Sequence, residues 1–559
     1  MKIGLKPHIK LKNKISTYVK LDSKDKEGLE LIQSFSRSYY HVNIKQWELP
    51  QDAFRIILSN YQGNVEIVGK LPTQEENFLK LLDLYDEDNM EYESNTKPFI
   101  HQIDSFNYSL THNKFLLGDQ QGLGKTKQAL DIAWSKRNKT GHCLIVCGVN
   151  GLKYNWMHEI SVHTNGTGYI LGTKYRKNGN TYIGNTDDKL KDLQSLHLNN
   201  NYFIITNIES LRDKNIQKEL KKLTLENVIG ITIIDEIHKC KNSTSNQGKA
   251  IHCLQSYYKI ALTGTPLMNN AIDLYNILKW LEVENHTLAQ FKSHYCIMGG
   301  FGGYEIIGYR NTNELQNKLN SIMLRRLKND VLDLPPKLYT DEYLEMNDKQ
   351  AKIYHDVHAN IMDDINRILL LPNPLVELTR LRQATSYPGI LSTTITDSAK
   401  LDRLLEIVYE VQQRNGRCII FSNWTSVIEP AYLMLKENDI HSILISGKSK
   451  NPEQLIHQFK TDSKYTAILG TIGILGTGFT LTEADTIIFL DEPWNKATKE
   501  QAEDRAHRIG TKGTVNIITL MCKDTIDEKI HELIQQKGEL SDKLVDNKDS
   551  IRYLLDWRD

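Results

Sequence analysis

The chain has 559 residues, 40% of them hydrophobic and 25% charged, and its 69 basic and 69 acidic side chains cancel to a formal net charge of zero. That is enough chain for several folded domains with sizeable cores, and it excludes both a low-complexity chain and a uniformly basic one, so any surface for a polyanion must be built locally. Seven scattered cysteines without metal-ligand spacing, no apolar stretch of membrane-spanning length and no signal-peptide core predict a cytoplasmic protein with no membrane partner.

Residues 1–30 carry Lys2, Lys6, Lys10, Lys12, Lys14, Lys20, Lys24 and Lys26, which read as a solvated face or a phosphate-contacting one. Arg37, Tyr39, Tyr40, Lys45 and Trp47 then interleave cations with aromatics, a composition suited to stacking on bases and holding phosphates. The plainer reading is the aromatic core of a small domain. A helix from Asp52 to Leu58 follows, and acidic residues 73–97 read as a helix running into a linker. Residues 1–95 are therefore expected to form an accessory domain.

From residue 98 strands and helices alternate. Strands are expected at Phe115–Leu117, Cys143–Cys147, Tyr202–Ile205, Ile231–Ile234 and Tyr258–Leu262, with a helix over 127–136. Such continuous apolar runs suit an α/β fold with a parallel sheet covered on both faces. Cys143 and Cys147 lie within one run and read as buried strand residues.

The first strand leads into Asp119-Gln120-Gln121-Gly122-Leu123-Gly124-Lys125-Thr126. Gly122 and Gly124 let the backbone bend so that its N–H groups face phosphate oxygens, Lys125 reaches the β- and γ-phosphates, and Thr126 offers its hydroxyl to Mg²⁺. The usual pattern opens with Gly where this chain has Asp119, and a Gly- and Gln-rich surface turn is the bland alternative. Support comes from Ile233-Ile234-Asp235-Glu236-Ile237-His238, a strand ending in two carboxylates. At the C-terminal edge of such a sheet, Asp235 can hold the Mg²⁺ shell while Glu236 activates water. Leu262-Thr263-Gly264-Thr265-Pro266 ends the next strand with two hydroxyls beside the same crevice. ATP and Mg²⁺ are the expected cofactors.

Residues 290–312 contain Gly299, Gly300, Gly302, Gly303 and Gly308 and read as a loop or irregular insertion. Leu334-Pro335-Pro336-Lys337 reads as the connection between halves. The second half repeats the architecture: a helix at Lys400–Gln413, then strands at Arg417–Ser422, His441–Ile445, Tyr465–Leu469, Thr486–Leu490 and Val515–Met521. It has no second phosphate loop. It has instead the glycine stretch containing Gly476 and Gly478, and a helical segment from Trp494 to Gly510. Within that segment Gln501, Arg505 and Arg508 fall on one helical face, where two arginines suit a finger at the γ-phosphate.

These pieces, in this order, resemble a superfamily-two helicase-type ATPase of the Swi/Snf family. The matching stretches run from Lys97–Gln102 through Asp119–Thr126, Asn155-Trp156 with Glu159, Asp235–His238, Leu262–Pro266, Met323–Lys328 and Leu334–Lys337. They continue through Leu381-Arg382-Gln383, Phe421–Trp424, Gly476–Thr482, Trp494-Asn495 and Gln501–Gly510 to Ile526-Asp527. The resemblance implies two RecA-like parallel-sheet lobes, at 96–334 and 335–559, with a cleft between them, the accessory domain before them and helical insertions. It tolerates Asp119 in the loop. It implies that Gln102 reads adenine, that Gln501 sits beside the closing arginines Arg505 and Arg508, and that His238, Thr263, Thr265, Gly476 and Gly478 couple nucleotide state to a nucleic-acid track. Gly148, Thr480 and Thr511 depart from the family's usual Pro, Asn and Gln.

Within the family, Phe291–Cys296, Tyr309–Leu315 and Met323–Val331 look most like the annealing-helicase branch, and Ser36–Leu58, with Arg37, Tyr39, Trp47 and Phe54, resembles its HARP-type domain. The implied activity is a DNA-stimulated ATPase that translocates on duplex, forked or branched DNA. A motor that displaces RNA polymerase from duplex DNA is one alternative, and a nucleotide-gated DNA-binding switch is another.

Overall fold

Runs of β-branched and aliphatic residues in each half of the chain assemble into one parallel sheet apiece. The computed structural model describes all residues except 8–14, 23–24, 36–37, 51–52, 62, 72–90, 149–151, 177–180, 265–270, 300–304, 333, 364–374, 450, 477–478, 509, 512 and 538–559. The expected acidic helix and linker over 73–97 thus lies largely outside the described residues. Two compact units result, Met1–Gln120 with Gly124–Leu327, and Gln121–Leu123 with Lys328–Asp559.

The first unit holds a seven-stranded sheet. Its order is Met323–Leu324, Lys114–Leu117, Tyr258–Leu262, Ile229–Ile234, His142–Cys147, Phe203–Asn207 and Gly168–Ile170. Every neighbouring pair is parallel. Side chains alternate between the two faces, so Leu144, Val146, Ile204 and Ile234 enter one core while Cys143, Ile145, Ile205, Ile231 and Ile233 enter the other. Helices cover both faces, which is why Ile229–Ile234 is buried along its whole length. Because all seven strands run the same way, the loops that follow them gather at one edge.

Within 290–312, expected as a loop or irregular insertion, the described residues form regular elements. Thr287 caps a helix over Leu288–Tyr295, and an antiparallel hairpin pairs Cys296–Gly299 with Glu305–Tyr309. Gly299 acts as a strand residue that makes room: a Cβ there would lie 2.5 Å from the Ile307 side chain.

Also in the first unit, residues before 72 form a five-stranded sheet in the order Tyr39–His41, Gln46–Leu49, Ile15–Lys20, Lys2–Pro7, Glu66–Ile67. Helices Lys26–Ser34 and Ala53–Asn60 accompany it, and Ile3, Val19, Ile32, Phe35, Leu49, Phe54 and Ile57 form its core. Of the Lys-rich start, Lys2, Lys6 and Lys20 lie outward on two paired strands, with Ile3 and Val19 inward. Asn285 donates to the Ser34 hydroxyl at 2.9 Å, tying this domain to the larger sheet domain.

The second unit carries six parallel strands, ordered Lys337–Leu344, Val515–Cys522, Thr486–Phe489, Cys418–Ser422, Ala467–Thr471 and Ser442–Ile445. The first of these is an edge strand with most side chains outside, which hides it from an apolar-run search. The segment Trp494–Gly510 is not one helix. Asn495 caps a helix that stops at Glu503, where ion pairs from Lys337 to Glu503 and from Lys328 to Asp504 seize the following turn. His507 is likewise held to the Pro335 carbonyl. Among the described residues no helix is long and apolar enough to cross a membrane.

Candidate active site

The strand Lys114–Leu117 ends in the expected loop, and helix Lys125–Ser135 begins directly after it with Gly124 as its cap. Gly122 and Gly124 both take left-handed backbone angles, φ 85° and 75°. At Gly124 a side chain is excluded twice, since a Cβ would also sit 2.7 Å from Gln102 Nε2. The N–H groups of the helix's first turn, Thr126 included, have no carbonyl one turn earlier in the helix, which suits this N-terminus to an anion. Lys125 Nζ donates to the Asp119 carbonyl at 2.7 Å and the Gln120 carbonyl at 3.3 Å, which keeps its charge inside the cradle. Gln102 is buried, with Oε1 accepting from the Phe99 N–H at 3.1 Å and its amide nitrogen against Gly124.

Asp119, grouped by sequence with the cofactor-binding residues, turns its carboxylate away from the cradle. It is fully buried and receives Arg326 Nη2 at 2.6 Å, Arg326 Nε at 3.0 Å, the Arg326 backbone N–H at 3.0 Å and Gln128 Nε2 at 3.1 Å. Arg326 also donates to the Ser105 hydroxyl, to Gln128 Oε1 and to the His101 carbonyl. Asp119 is thus a clasp that fixes the loop's first residue, and Arg326 is a site residue to which the sequence attached no role. The signal was present: a carboxylate replacing glycine inside a buried loop requires a cation.

The strand Ile229–Ile234 delivers the acidic pair to the same edge. Asp235 Oδ2 accepts from Trp156 Nε1 at 2.9 Å and Oδ1 from the Glu236 N–H at 2.9 Å. Burial, and then the adjacent Glu236 charge, push the Asp235 carboxyl up to about 6, against the pull of Trp156 and Lys125. Glu236 takes the left-handed conformation at φ 52° and ψ 50°, a strain of about 1–3 kcal/mol for a residue with a side chain. His238 Nδ1 stands 3.2 Å from Glu236 Oε2 and 3.3 Å from the Thr263 hydroxyl, so four expected residues form one contiguous chain. Thr265 lies outside the described residues.

Two carboxylates crowded at a desolvated edge beside a phosphate cradle suit a divalent cation, which would relieve their repulsion. Among the described residues no cluster of three or more His, Cys, Asp or Glu could cage a metal by itself. Mg²⁺ keeps waters and shares its shell with phosphate oxygens, so it needs few ligands from a protein. Asp235 and Thr126 would contribute the protein ligands.

In the second unit, Arg505 Nε donates to the Gln501 carbonyl at 3.0 Å and Nη1 to the Phe479 carbonyl at 3.2 Å, and Arg508 Nη1 donates to the Thr480 hydroxyl at 2.6 Å. Both arginines are therefore tied to the segment that follows the glycine stretch, and Thr480 serves as an acceptor. Gly476 closes the short helix Ile472–Leu475, where a Cβ would meet the Ile472 carbonyl at 2.3 Å. Gly478 lies outside the described residues. Arg382 is buried between the Trp424 and Trp494 rings, 5.1 and 4.4 Å from their centroids.

The accessory domain presents part of the expected nucleic-acid cluster. Tyr39 is 62% exposed, Tyr40 is 50% exposed and Lys45 is exposed at the hairpin tip. Trp47 is half-buried, 5.3 Å from the Tyr40 ring and packed on the domain core, so it supports the surface from below. Arg37 lies outside the described residues.

Two family profiles match the chain. The profile described as SNF2-related domain matches residues 101–390, and that of the helicase conserved C-terminal domain matches 399–510. An "Uncharacterized ATP-dependent helicase" of Mycoplasma pneumoniae is 28% identical over 449 residues, covering 78% of this chain and 40% of that protein. The "ISWI chromatin-remodeling complex ATPase ISW2" of Saccharomyces cerevisiae is 28% identical over 503 residues, covering 83% and 43%. The chain thus spans less than half the length of these relatives. A solved "Sulfolobus solfataricus SWI2/SNF2 ATPase core in complex with dsDNA" is 22% identical and covers 84% of this chain and all of that one, at a TM-score of 0.37.

Proposed function

Since this chain belongs to the SNF2-related family of helicase-like ATPases, we propose that it hydrolyses ATP with Mg²⁺ and uses the energy to move along DNA. One observation carries the reading: a single edge of the first parallel sheet gathers Lys125 and Thr126 at a helix N-terminus, the Asp235–Glu236 pair, and the His238–Thr263 contact. Lys125 and the loop N–H groups bind and orient the phosphates. Glu236 orients and deprotonates the attacking water, and Asp235 would hold the cation. Mg²⁺ supplies charge neutralisation at the phosphoryl oxygens. His238 touches both the acid and the Thr263 hydroxyl, a path from the hydrolytic site toward the next strand's loop. Arg505 and Arg508, carried by the second lobe, are assigned to the transferring phosphoryl group. The regions 1–95, 96–334 and 335–559 serve as accessory domain, ATP-binding lobe and arginine-bearing lobe.

The finer assignment is remodelling or annealing of forked and branched DNA, supported by the exposed Tyr39, Tyr40 and Lys45 on the accessory hairpin. A motor track contacts mainly backbone phosphates, so junction preference needs a second surface of this kind. Seven cysteines, all buried and unpaired, suit the reducing cytoplasm. The test is ATP hydrolysis with no DNA and with single-stranded, duplex and forked DNA at one salt concentration, for the parent and a Tyr39→Ala/Tyr40→Ala variant. Stimulation by DNA supports the motor. Loss of fork preference alone in the variant supports the accessory role, and an unchanged preference removes it.

A further inference from the structure

A short antiparallel hairpin pairs Thr173–Tyr175 with Thr181–Ile183. It follows Gly168–Ile170, the last strand of the first sheet. Because all seven strands run the same way, the hairpin leaves the sheet at the edge that carries the phosphate cradle and the acidic pair. Three strand spacings, roughly 15 Å, separate its strand from the one bearing Asp235, and five, roughly 24 Å, from the one entering the cradle. It is firmly rooted. Gly184 N–H donates to the Gly172 carbonyl at 2.7 Å, Gly172 N–H to Asp192 Oδ2 at 2.7 Å, the Thr173 hydroxyl to the Ile170 carbonyl at 2.6 Å, and Ile183 packs on the core.

What the hairpin shows to solvent differs from its root. Tyr175 is 75% exposed, and Tyr182 is 45% exposed with the Arg176 guanidinium 5.3 Å from its ring centre. Between Gly172 and Gly184 the sequence carries Lys174, Arg176 and Lys177 and no acid. Lys174 reaches Asp188 at 3.4 Å, a partly exposed pair that a polyanion can displace at little cost. Exposed aromatic faces, interleaved with cations on a rigid stem, form a stacking and phosphate-holding platform.

We propose that this hairpin is a nucleic-acid contact of the first lobe: Tyr175 stacks on a base or sugar of a DNA strand while Arg176 and Lys174 hold its phosphates. The proposal rests on the DNA-motor reading above. Its charge and its place beyond the acidic pair fit a strand passing along the same sheet edge. The contact is sequence-tolerant, since stacking and phosphate binding read no base identity.

The test uses the full chain and its Tyr175→Ala and Arg176→Gln variants, with fluorescence anisotropy on fluorescein-labelled single-stranded and duplex DNA across a salt series. Melting temperature and basal ATP hydrolysis without DNA serve as controls, because both side chains lie outside the core and the cradle. The expected result for Tyr175→Ala is an affinity loss of about fivefold or more with an unchanged salt slope, and for Arg176→Gln a salt slope shallower by about one. Parent-like affinity and slope in both variants would overturn the hairpin contact while leaving the motor reading in place. A parent chain that fails to bind either DNA would overturn both.

Discussion

Asp119 and Arg326 meet at 2.6 Å beneath the phosphate loop, the carboxylate fully buried and the guanidinium forked across both of its oxygens. The residue that departs from the usual glycine is thus the loop's anchor. Removing one partner strands a buried charge, so Arg326→Ala should destabilise the first lobe by about 3–5 kcal/mol. The double variant Asp119→Ala/Arg326→Ala should lose less than Arg326→Ala alone. Denaturant unfolding of parent, both single variants and the double gives the coupling energy, and additive losses would refute the clasp.

Asp235 is held charged against its surroundings, and the sign of that matters. Its folded carboxyl titrates near 6 against an ordinary 3.8, so its contribution to folding is lost as pH rises through about 6. At pH 7.5 without metal, Asp235→Asn should therefore raise stability on the order of 1–2 kcal/mol while abolishing ATP hydrolysis. Mg²⁺ with ATP should then stabilise the parent but not the variant. A lower metal-free melting temperature for Asp235→Asn would contradict this account.

Arg508 donates to Thr480 and Arg505 to the Phe479 carbonyl, which holds both against the segment that follows the glycine stretch. If they act on the transferring phosphoryl group, Arg508→Ala should cut turnover on the order of 10³-fold or more while ATP affinity changes far less. Nucleotide binding and single-turnover hydrolysis, measured separately, decide this. A large affinity loss with parent turnover would remove the finger assignment.

His531 gives a pH signature to the second lobe. Its Nδ1 lies 2.9 Å from Glu492 Oε2, and Nε2 lies 3.4 Å from Asp341. The Glu492 hydrogen bond raises the imidazole above its ordinary 6.5 despite desolvation. Burial alone would raise Glu492, but hydrogen bonds from His531 and Lys499 carry it below 4.5. The histidine's share of stability is present below 6.5 and lost as pH rises through its raised value, and the glutamate's is lost only as pH falls through its lowered one. The melting-temperature deficit of His531→Gln should be widest near about pH 5.5 and shrink above neutrality. A deficit constant with pH would show a packing role only.

Much of this was legible in the residues, and the misses share a cause. Tyr258–Leu262 was placed to the residue because a strand buried on both faces is apolar throughout. Lys337–Leu344 was invisible because an edge strand with most side chains outside carries no such run. Residues 290–312 read as a loop or irregular insertion because glycine commonly breaks regular structure, whereas Gly299 lies under Ile307 in a hairpin. Trp494–Gly510 read as one helix because local periodicity says nothing of Lys337 and Lys328, which hold Glu503 and Asp504 from outside the segment. Arg326 escaped for the same reason, its partner lying 207 positions away. Local chemistry is written locally, and long-range partners are not.

The central claim is that Lys125, in the loop between Leu117 and the helix beginning at residue 125, works a phosphate cradle whose turnover responds to DNA. Steady-state ATP hydrolysis of the parent and of Lys125→Ala, each with and without duplex DNA at one salt concentration, tests it most directly, with circular dichroism confirming that both are folded. The account predicts hydrolysis by the parent that rises severalfold with DNA, and none by a folded Lys125→Ala under either condition. Equal hydrolysis by the two proteins in the presence of DNA would contradict it.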